Sequence, residues 1–459
     1  MNQIESLQKQ LLDDALRYGF SEAETYVIRG RSLDIHVFEK KISRYESSQE
    51  QGISFRGVIE GRMGYAYSEK IDPSVIPWML EEAASNASVL ADSKKEDLFD
   101  GHDTDAERDQ AKANRFSQSL AELEPQVLID SAMAMEAAAL ETDSRIRKVE
   151  YAAVAYMESE RYIKNSLGLS VHDRSNLAYA FALARAASGD SVKKGVEIWQ
   201  GHDLDPEICR SIGRKAAERA IAVLGARPVP SARLPVVLEN RAAIDLLTAF
   251  LPAFFADRVQ QGLSLLGEKL GQPVASDCVS LVDDPFHNES FYQPPFDSEG
   301  VPTRITRLID SGTLNSFLHN RQTAAKDGTS STGNGFRPSW KMGVQVAATN
   351  CLVLPGPLSR DALCSEMNNG LLIQELTGLH AGTNLISGDF SLSAEGFLIE
   401  DGVIGHPVEQ ITVAGNFFDL LRQVRQVGSD LLFDLPGASG QIACPSLLIA
   451  ELAISGEST

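Results

Sequence analysis

Two Asp-Pro pairs divide the first half of the chain into a pattern that occurs twice. Asp72-Pro73 and Asp205-Pro206 each combine a helix-capping side chain with a proline suited to the first turn of a helix. Before each pair lies a block of alternating apolar and polar residues broken by glycines, which is typical of β-strands. A helical spacing of apolar residues precedes each block, at 4–15 and again after Pro125. The order helix, strands, helix is therefore expected twice.

The two strand blocks contain one pair of weakly similar segments. The first predicts strands at 33–37 and 53–55, with Gly57, Gly61 and Gly64 in turns; the second predicts strands at 151–157, 167–171 and 177–184. The segment 51–55 (QGISF) is matched by 167–171 (LGLSV). Either the half is an internal duplication, or any two strand meanders look this similar, and both readings stay open.

Pro228 and Pro230 mark a change in the pattern of apolar and polar residues. Beyond them the chain consists mostly of short alternating runs separated by Gly, Asn, Asp and Ser, and Asp401-Gly402 suits a hairpin turn. We predict an α+β protein with an N-terminal half of mixed strands and helices (1–227) and a mostly antiparallel, β-rich C-terminal domain (228–459). An acidic stretch near 92–109 is predicted to be an exposed loop.

Composition limits the partners and the compartment. The 459 residues carry a formal net charge of −21, which repels nucleic acid and anionic membranes. Five scattered cysteines without a CxxC pair indicate reduced thiols. The first residues do not resemble a signal peptide, and the longest apolar stretch, 243–256, is interrupted by Asp245 and Pro252. These features predict a soluble cytoplasmic protein.

The common motifs for metals and phosphates are missing. No two of the eight histidines lie three or four residues apart, so no helical histidine pair is available for zinc. The segment 262–269 has the glycine spacing of a phosphate-binding loop, but Glu268 occupies the lysine position. We therefore predict no catalytic residue, no metal ligand and no cofactor in this chain.

Two glycine-rich stretches provide candidate contacts for a substrate or a partner. The first, 330–339, contains Asn334 and Arg337, and the guanidinium could bind a carboxylate. The second, 377–390, contains His380, Asn384, Gly388 and Asp389 among glycines that allow close backbone approach. The alternative in each case is a surface loop or hydrogen-bonded turn with a purely structural role.

Five segments together resemble the TldD/PmbA family: 297–303 (DSEGVPT), 331–335 (STGNG), 378–384 (GLHAGTN), 386–391 (ISGDFS) and 407–416 (PVEQITVAGN). Their order and spacing match, and the similarity extends over essentially the whole chain. The form GLHAGTN resembles the PmbA (TldE) branch. The resemblance implies a peptidase built from two related subunits, of which the TldD-type chain carries a zinc motif His-Glu-x-x-x-His.

Zinc ligands are replaced in this sequence. The window matching the family motif contains Leu247, Thr248 and Pro252 where His, Glu and His are expected. A further family ligand, a cysteine near the C-terminus, should fall within 436–439 (PGAS), which has none. Without these groups a chain cannot generate zinc-bound hydroxide. The resemblance therefore implies the non-catalytic partner, with zinc expected in a TldD-type chain.

The expected function is that of a PmbA/TldE-like subunit of a heteromeric zinc metallopeptidase that degrades or matures unfolded peptides. It would form a heterodimer with a TldD-like chain, or a homodimer alone. His380, Asn384, Gly388, Asp389, Asn334 and Arg337 are then candidate substrate-channel or interface residues. The alternatives are a homo-oligomeric binding or scaffold protein without a peptidase role, such as a gyrase modulator, and a stand-alone hydrolase.

Overall fold

The computed structural model describes residues 3–89, 98–101 and 115–457. Apart from 98–101, the acidic loop predicted near 92–109 lies outside the described residues. The fold is α+β, as predicted. None of the helices within these ranges is long and apolar enough to cross a membrane.

A six-stranded antiparallel sheet, here called the N-terminal sheet, organises the first half of the chain. Its strands are β1 (Glu22–Phe38), β2 (Lys41–Ile59), β3 (Arg62–Ser68), β4 (Ile146–Asn165), β5 (Ser170–Ser188) and β6 (Ser191–Gly201). Across the sheet they follow the order β3-β2-β1-β4-β5-β6. The accompanying helices are α1 (Gln3–Tyr18), α2 (Ile76–Val89), α3 (Gln118–Ala121), α4 (Pro125–Thr142) and α5 (Pro206–Ala222), and a 3-10 turn (Pro73–Val75) precedes α2.

The topology of this half is duplicated. A first repeat (residues 3–89) runs α1-β1-β2-β3-α2, and a second repeat (residues 125–222) runs α4-β4-β5-β6-α5. β1 and β4 pair antiparallel at the centre of the sheet, so the repeats are related by an approximate two-fold axis. Each repeat has its own apolar core between its strands and helices. Both Asp-Pro predictions are confirmed: Asp72 caps the 3-10 turn before α2, and Asp205 caps α5.

Two details of the strand predictions are wrong. Gly57 and Gly64 lie opposite each other in β2 and β3 rather than in turns. Gly64 is needed because a Cβ atom there would lie 2.0 Å from the carbonyl oxygen of Ala83 in α2. The segment 167–171 is largely the turn between β4 and β5, closed by Asn165 Oδ1, which accepts hydrogen bonds from the amides of Leu167 and Leu169. The similar segment 51–55, by contrast, lies within β2. The two segments are therefore not at equivalent positions, and the duplication is one of topology.

The C-terminal half (residues 232–457) contains two further six-stranded sheets and a two-stranded ribbon. Its strands are β7 (Ala232–Leu238), β8 (Leu281–Asp283), β9 (Thr306–Asp310), β10 (Thr313–Leu314), β11 (Gly335–Phe336), β12 (Gln345–Val346), β13 (Asn350–Val353), β14 (Gly370–Thr377), β15 (Asp389–Glu400), β16 (Val403–Asn416), β17 (Val424–Val427), β18 (Leu432–Phe433), β19 (Gln441–Cys444) and β20 (Leu447–Ser455). Most pairs are antiparallel, as predicted; β13–β19 and β14–β7 are parallel.

One sheet of this half has the order β16-β15-β14-β7-β20-β17 and closes on itself because β16 also pairs with β20. The other has the order β10-β9-β8-β13-β19-β18. The predicted hairpin turn at Asp401-Gly402 joins β15 to β16, with both residues at positive φ. The helices are α6 (Asn240–Phe250), α7 (Ala256–Gln260), α8 (Arg321–Asp327), α9 (Arg360–Met367), α10 (Leu379–Gly382) and α11 (Phe417–Gln423), with a 3-10 turn (Leu251–Phe254) after α6.

Helix α6 positions the candidate site. It packs between β14 of the closed sheet and β19 of the other, and its apolar residues belong to the main core of the C-terminal half. The start of the helix faces the second repeat, where Arg241 Nη2 donates to Glu197 Oε2 of β6 at 2.9 Å. The second repeat thus meets the C-terminal half at the beginning of α6.

Candidate functional site

A cavity of about 610 Å³ lies where the second repeat meets the C-terminal half. It is bounded by β6 and α5 on one side, by α6, β14 and β15 on the other, and by residues 431–434. This volume is in the range of pockets that bind small molecules or short peptide segments. Because its walls come from both halves of the chain, neither half could form the cavity alone.

Ion pairs join the two halves along the polar wall. Arg219 of α5 and Arg241 of α6 both donate to Glu197 Oε2, at 2.8 and 2.9 Å. Lys194 Nζ of β6 donates to Glu375 Oε1 of β14 at 2.6 Å. Burial lowers the pKa of Arg241 from its usual value, and Glu197 opposes that effect. The guanidinium groups therefore hold the wall in place and leave little free positive charge.

Asp245 is the unusual ionisable group of the cavity. It lies one turn after Arg241 in α6, and its side chain makes no hydrogen bond or ion pair with any residue that the structure describes. Burial raises the pKa of Asp245 to about 7, helped by the nearby carboxylates of Asp434 and Glu375 and opposed by Arg241. Near neutral pH this carboxyl can therefore donate or accept a proton in a hydrogen bond to a ligand.

The remaining wall is apolar and aromatic. Trp199 of β6, Phe291 and Phe433 line the cavity, with Ile244 and Leu376 beside them. Apolar walls with a few polar groups are typical of sites that bind side chains or short segments of a peptide. Among the residues that line it, no Ser-His or Cys-His pair is present, and the ionisable groups are carboxyl, guanidinium and ammonium groups.

The two sequence windows where zinc ligands were expected do not fit a zinc ion. Leu247 comes two residues after Asp245 and packs into the core with 4% of its surface exposed, while Pro252 is the second residue of the 3-10 turn after α6. Pro436 comes two residues after Asp434, and 436–439 offers no thiolate. Within the described ranges, no group of three or more His, Cys, Asp or Glu side chains could hold a metal ion.

His380, Asn384, Gly388 and Asp389 lie together in the turn that leads into β15, outside the cavity lining. Asn384 Oδ1 accepts from the amides of Ile386 and Ser387, both at 3.1 Å. Asp389 accepts from Asn416 Nδ2 at 2.9 Å and from Ser387 Oγ at 2.8 Å, and these bonds lower its pKa. The polar groups of Asn384 and Asp389 therefore hold the turn itself.

The surface of this turn is open. His380 is exposed, and Leu385 and Ile386 at its tip are 46% and 49% exposed. Gly388 has a φ of 86°, and a Cβ atom there would lie 2.6 Å from the Phe418 ring, so the glycine is needed for packing. The turn therefore offers two neighbouring apolar side chains and one imidazole to solvent.

Asn334 and Arg337 lie elsewhere. Asn334 is buried, and its Nδ2 donates to Asp283 Oδ2 at 2.7 Å and to the carbonyl oxygen of Ala347 at 3.0 Å. Burial raises the pKa of Asp283 to about 6, and the Asn334 amide works against that rise. Asn334 thus supports the connection between β8 and the ribbon.

Arg337 does bind a carboxylate, but within its own chain. Its guanidinium, with 2% of the side chain exposed, lies 3.6 Å from Glu24 Oε1 and faces the rings of Tyr26 and Tyr65. Glu24 also accepts from Arg56 Nε at 2.7 Å, and Arg56 lies 3.5 Å from Glu299. These four side chains form a buried network, here called the anchor, that fixes the first repeat to the C-terminal half.

The family segment 297–303 lies beside the anchor. Asp297 Oδ1 accepts from the amides of Glu299 and Val301, and Oδ2 accepts from the amide of Gly335. Burial and the neighbouring Glu299 raise the pKa of Asp297 well above its usual value. The segment is thus a tightly bonded turn that presents Glu299 to Arg56.

The sequence did not identify the cavity residues as a candidate site, although one of them, Asp245, gave a signal. Asp245 interrupts an otherwise apolar stretch, and a carboxylate within an apolar helix requires either solvent or a functional reason. Trp199 and Asp434 carried no such signal, because their convergence with Asp245 depends on the packing of the two halves.

Models of three PmbA/TldA metallopeptidase domains match this chain: domain 1 over residues 23–87, the central domain over 118–224 and the C-terminal domain over 231–456. Metalloprotease PmbA of Escherichia coli O157:H7 is 26% identical over 100% of this chain and 98% of its own length. A metalloprotease of Methanothermobacter thermautotrophicus is 28% identical over 94% of this chain and 92% of its own length.

Crystal structures with the same fold cover nearly the whole chain. TldE from Thermococcus kodakarensis superimposes with a TM-score of 0.88 at 26% identity, covering 98% of this chain and 100% of that structure. A Thermotoga maritima protein, described as a candidate modulator of a DNA gyrase, gives a TM-score of 0.86 at 32% identity with the same coverage.

Proposed function

The chain belongs to the PmbA/TldD metallopeptidase family, and from this premise we propose that it is the non-catalytic subunit of a heteromeric zinc metallopeptidase that degrades or matures unfolded peptides. The observation that carries the proposal is the set of residues found in the two windows where the family's zinc ligands are expected. Leu247, Thr248 and Pro252 provide no imidazole or carboxylate, and 436–439 provides no thiolate. A TldD-type partner would supply the zinc, the general base and the water.

The cavity supports a role in holding peptide. Trp199, Phe291 and Phe433 provide apolar surface for a side chain, and Asp245 provides a hydrogen-bonding group that is partly protonated near neutral pH. The exposed turn with His380, Leu385 and Ile386 is a second candidate contact, for the partner or for the peptide. In this proposal the chain completes an enclosed chamber, and the partner carries out the hydrolysis.

Mixing with a TldD-type chain that carries His-Glu-x-x-x-His tests the proposal. The purified chain alone should hold no stoichiometric zinc by elemental analysis and should not cleave an unstructured peptide. The mixture should form a stoichiometric complex and cleave the peptide, and substituting the partner's motif histidines should abolish the cleavage.

The contrary outcomes identify the alternatives. Peptide cleavage by the homomer, or about one zinc per chain retained after chelator-free purification, would indicate a stand-alone hydrolase. Failure to bind any TldD-type chain from the same genome, together with a stable homo-oligomer, would indicate a binding or scaffold protein.

A further inference from the structure

The cations that line the cavity between the second repeat and the C-terminal half are all neutralised within the chain. Lys194 pairs with Glu375, and Arg219 and Arg241 both pair with Glu197. Each of the three positive charges of the lining is therefore already engaged with a carboxylate. None of them is left to neutralise a further acidic group of the wall.

The lining contains more carboxyl groups than these cations can balance. Glu395 is neutralised from outside the lining, because its Oε2 lies 3.4 Å from Lys193 Nζ. Within the part of the chain that the structure describes, the side chains of Asp245, Glu289 and Asp434 form no ion pair. Asp245 and Asp434 also lie close enough together for the second to raise the pKa of the first. The cavity therefore presents an excess of negative charge to its occupant.

The rest of the wall suits the stem of a long side chain. Trp199, Phe291 and Phe433 line the same cavity as the three carboxyl groups. Aromatic rings attract cations at their faces, and lysine and arginine carry their charge at the end of an aliphatic stem. Rings and unbalanced carboxyl groups in one cavity thus match a group that is apolar along its length and cationic at its end.

We propose that this cavity selects a positively charged nitrogen group, an ammonium or a guanidinium, of the bound peptide. The charge would lie among Asp245, Glu289 and Asp434, and the aromatic rings would contact the adjoining apolar part. This inference deepens the proposed function and rests on it, since it requires that the cavity holds peptide. It adds the chemical class that this chain recognises.

Other occupants fit the cavity less well. A neutral apolar group would take water from the three carboxyl groups and give them no partner in return, which is unfavourable. An anionic group would be repelled, since the guanidinium groups of Arg219 and Arg241 are engaged with Glu197. A buried ion pair often gains little because both partners lose water. Here Asp245 is already half-buried in the chain itself, so part of that cost is present before any ligand binds.

A second cavity indicates that the cation belongs to a peptide rather than to a small free molecule. Phe291 also borders a cavity of about 360 Å³ on the N-terminal sheet, which is lined by residues of β1, β2, β4 and β5. Because one ring borders both cavities, a peptide with its charged group in the first can continue past Phe291 into the second. A small cation would occupy the first cavity alone.

Three unstructured peptides of otherwise identical sequence test the preference for a cation. The first has blocked ends and one central lysine, the second has norleucine in place of the lysine, and the third is the norleucine peptide with a free N-terminus. Titration calorimetry with the chain alone at pH 7 should give a dissociation constant at least about tenfold lower for a peptide with a cation than for the blocked norleucine peptide.

The source of the cation follows from the same titrations. A gain with lysine identifies a side chain, and a gain with the free N-terminus identifies the terminal ammonium; either result supports the proposal. Binding of the blocked norleucine peptide as tight as that of the other two, or no binding of any peptide at millimolar concentration, would overturn it.

Asp245→Asn tests whether the preference arises in the cavity. The substitution keeps the shape of the side chain and removes its charge, so the preference for a cation should fall below about threefold, while the blocked norleucine peptide should bind within about twofold of wild type. The control Asp13→Asn removes one negative charge from an exposed position of α1 and should keep the full preference. An equal loss in both variants would attribute the preference to the net charge of −21 and contradict the proposal.

These titrations are independent of the test of the proposed function. A chain that forms an active complex with a TldD-type partner but shows no preference for a cation would contradict this inference alone. A chain that shows the preference but forms no such complex would contradict the role of a peptidase subunit and leave the binding chemistry of the cavity established.

Discussion

The first repeat meets the C-terminal half through a buried ion network, whereas the second repeat meets it across an open cavity. In the anchor, Glu24, Arg56, Glu299 and Arg337 balance two negative and two positive charges, and each side chain is at most 8% exposed. Around the cavity, Lys194 and Glu375 pair with 41% and 36% of their side chains exposed. One duplicated unit thus provides rigidity at one end and an accessible site at the other.

The sheet edges differ in the same way. Residues 115–117, which precede the second repeat, cover the outer side of β5, while the equivalent side of β2 is bare within the described part of the chain. Within the described residues, the rigid repeat therefore has an uncovered strand edge, and the chain covers the corresponding edge beside the cavity. Duplication allows this division, because one copy can provide the rigid contact while the other borders the cavity.

The largest expected effect is on the anchor. Arg56→Ala leaves Glu24 fully buried with its nearest positive charge removed, and breaking a buried ion pair costs about 3–5 kcal/mol. Lys194→Ala is the matched change at the cavity, and its exposed pair is worth below about 1 kcal/mol. Urea unfolding monitored by circular dichroism measures both. Equal losses for the two variants would mean that the two contacts do not differ in this way.

The elements of the N-terminal sheet were largely predictable from the sequence because local signals determine them. The apolar spacing of Ile4, Leu7 and Leu11 produces α1, and the two Asp-Pro pairs start helices as expected. Gly57 and Gly64 were misassigned because a glycine required by close packing has the same letter as a glycine required by a turn. The close packing of α2 on β3 is a tertiary contact, and the residues next to Gly64 in the sequence do not reveal it.

The candidate site was less predictable. Small residues and glycines drew attention to 330–339 and 377–390, where the structure shows that Asn334, Asn384 and Asp389 bond to their own surroundings. A hydrogen-bonded turn and a ligand-binding loop use the same residue types, so composition does not separate them. The cavity requires β6, α6 and residues 431–434 to converge, and the first and last of these segments are separated by more than 200 residues of the chain.

The next largest effect concerns the closed edge. Asn176 is buried, and its side chain donates to the carbonyl oxygen of Ser117 and accepts from the amide of Ser117, both at 2.8 Å. Asn176→Ala removes both bonds and should destabilise the chain by about 1–3 kcal/mol. The equivalent change in the first repeat, Gln51→Ala, should stay within about 0.5 kcal/mol, since none of the residues that the structure describes covers that edge. Similar losses would contradict the difference between the edges, and thermal melting distinguishes the outcomes.

The smallest effect is expected at Asp245 and depends on pH. With the pKa of Asp245 raised from 3.8 to about 7 by burial, the folded chain holds a proton that the unfolded chain has released, so this group lowers stability progressively between about pH 4 and 7. Full desolvation would make the loss about 4 kcal/mol, and access of water to the cavity reduces it to about 1–2 kcal/mol. Asp245→Asn should therefore unfold like wild type near pH 4 and be more stable by that amount at pH 8. Parallel stability curves for the two proteins from pH 4 to 8 would show that Asp245 is solvated as an ordinary surface carboxylate. The cavity would then contain no half-buried acid, and this difference from the buried anchor would not exist.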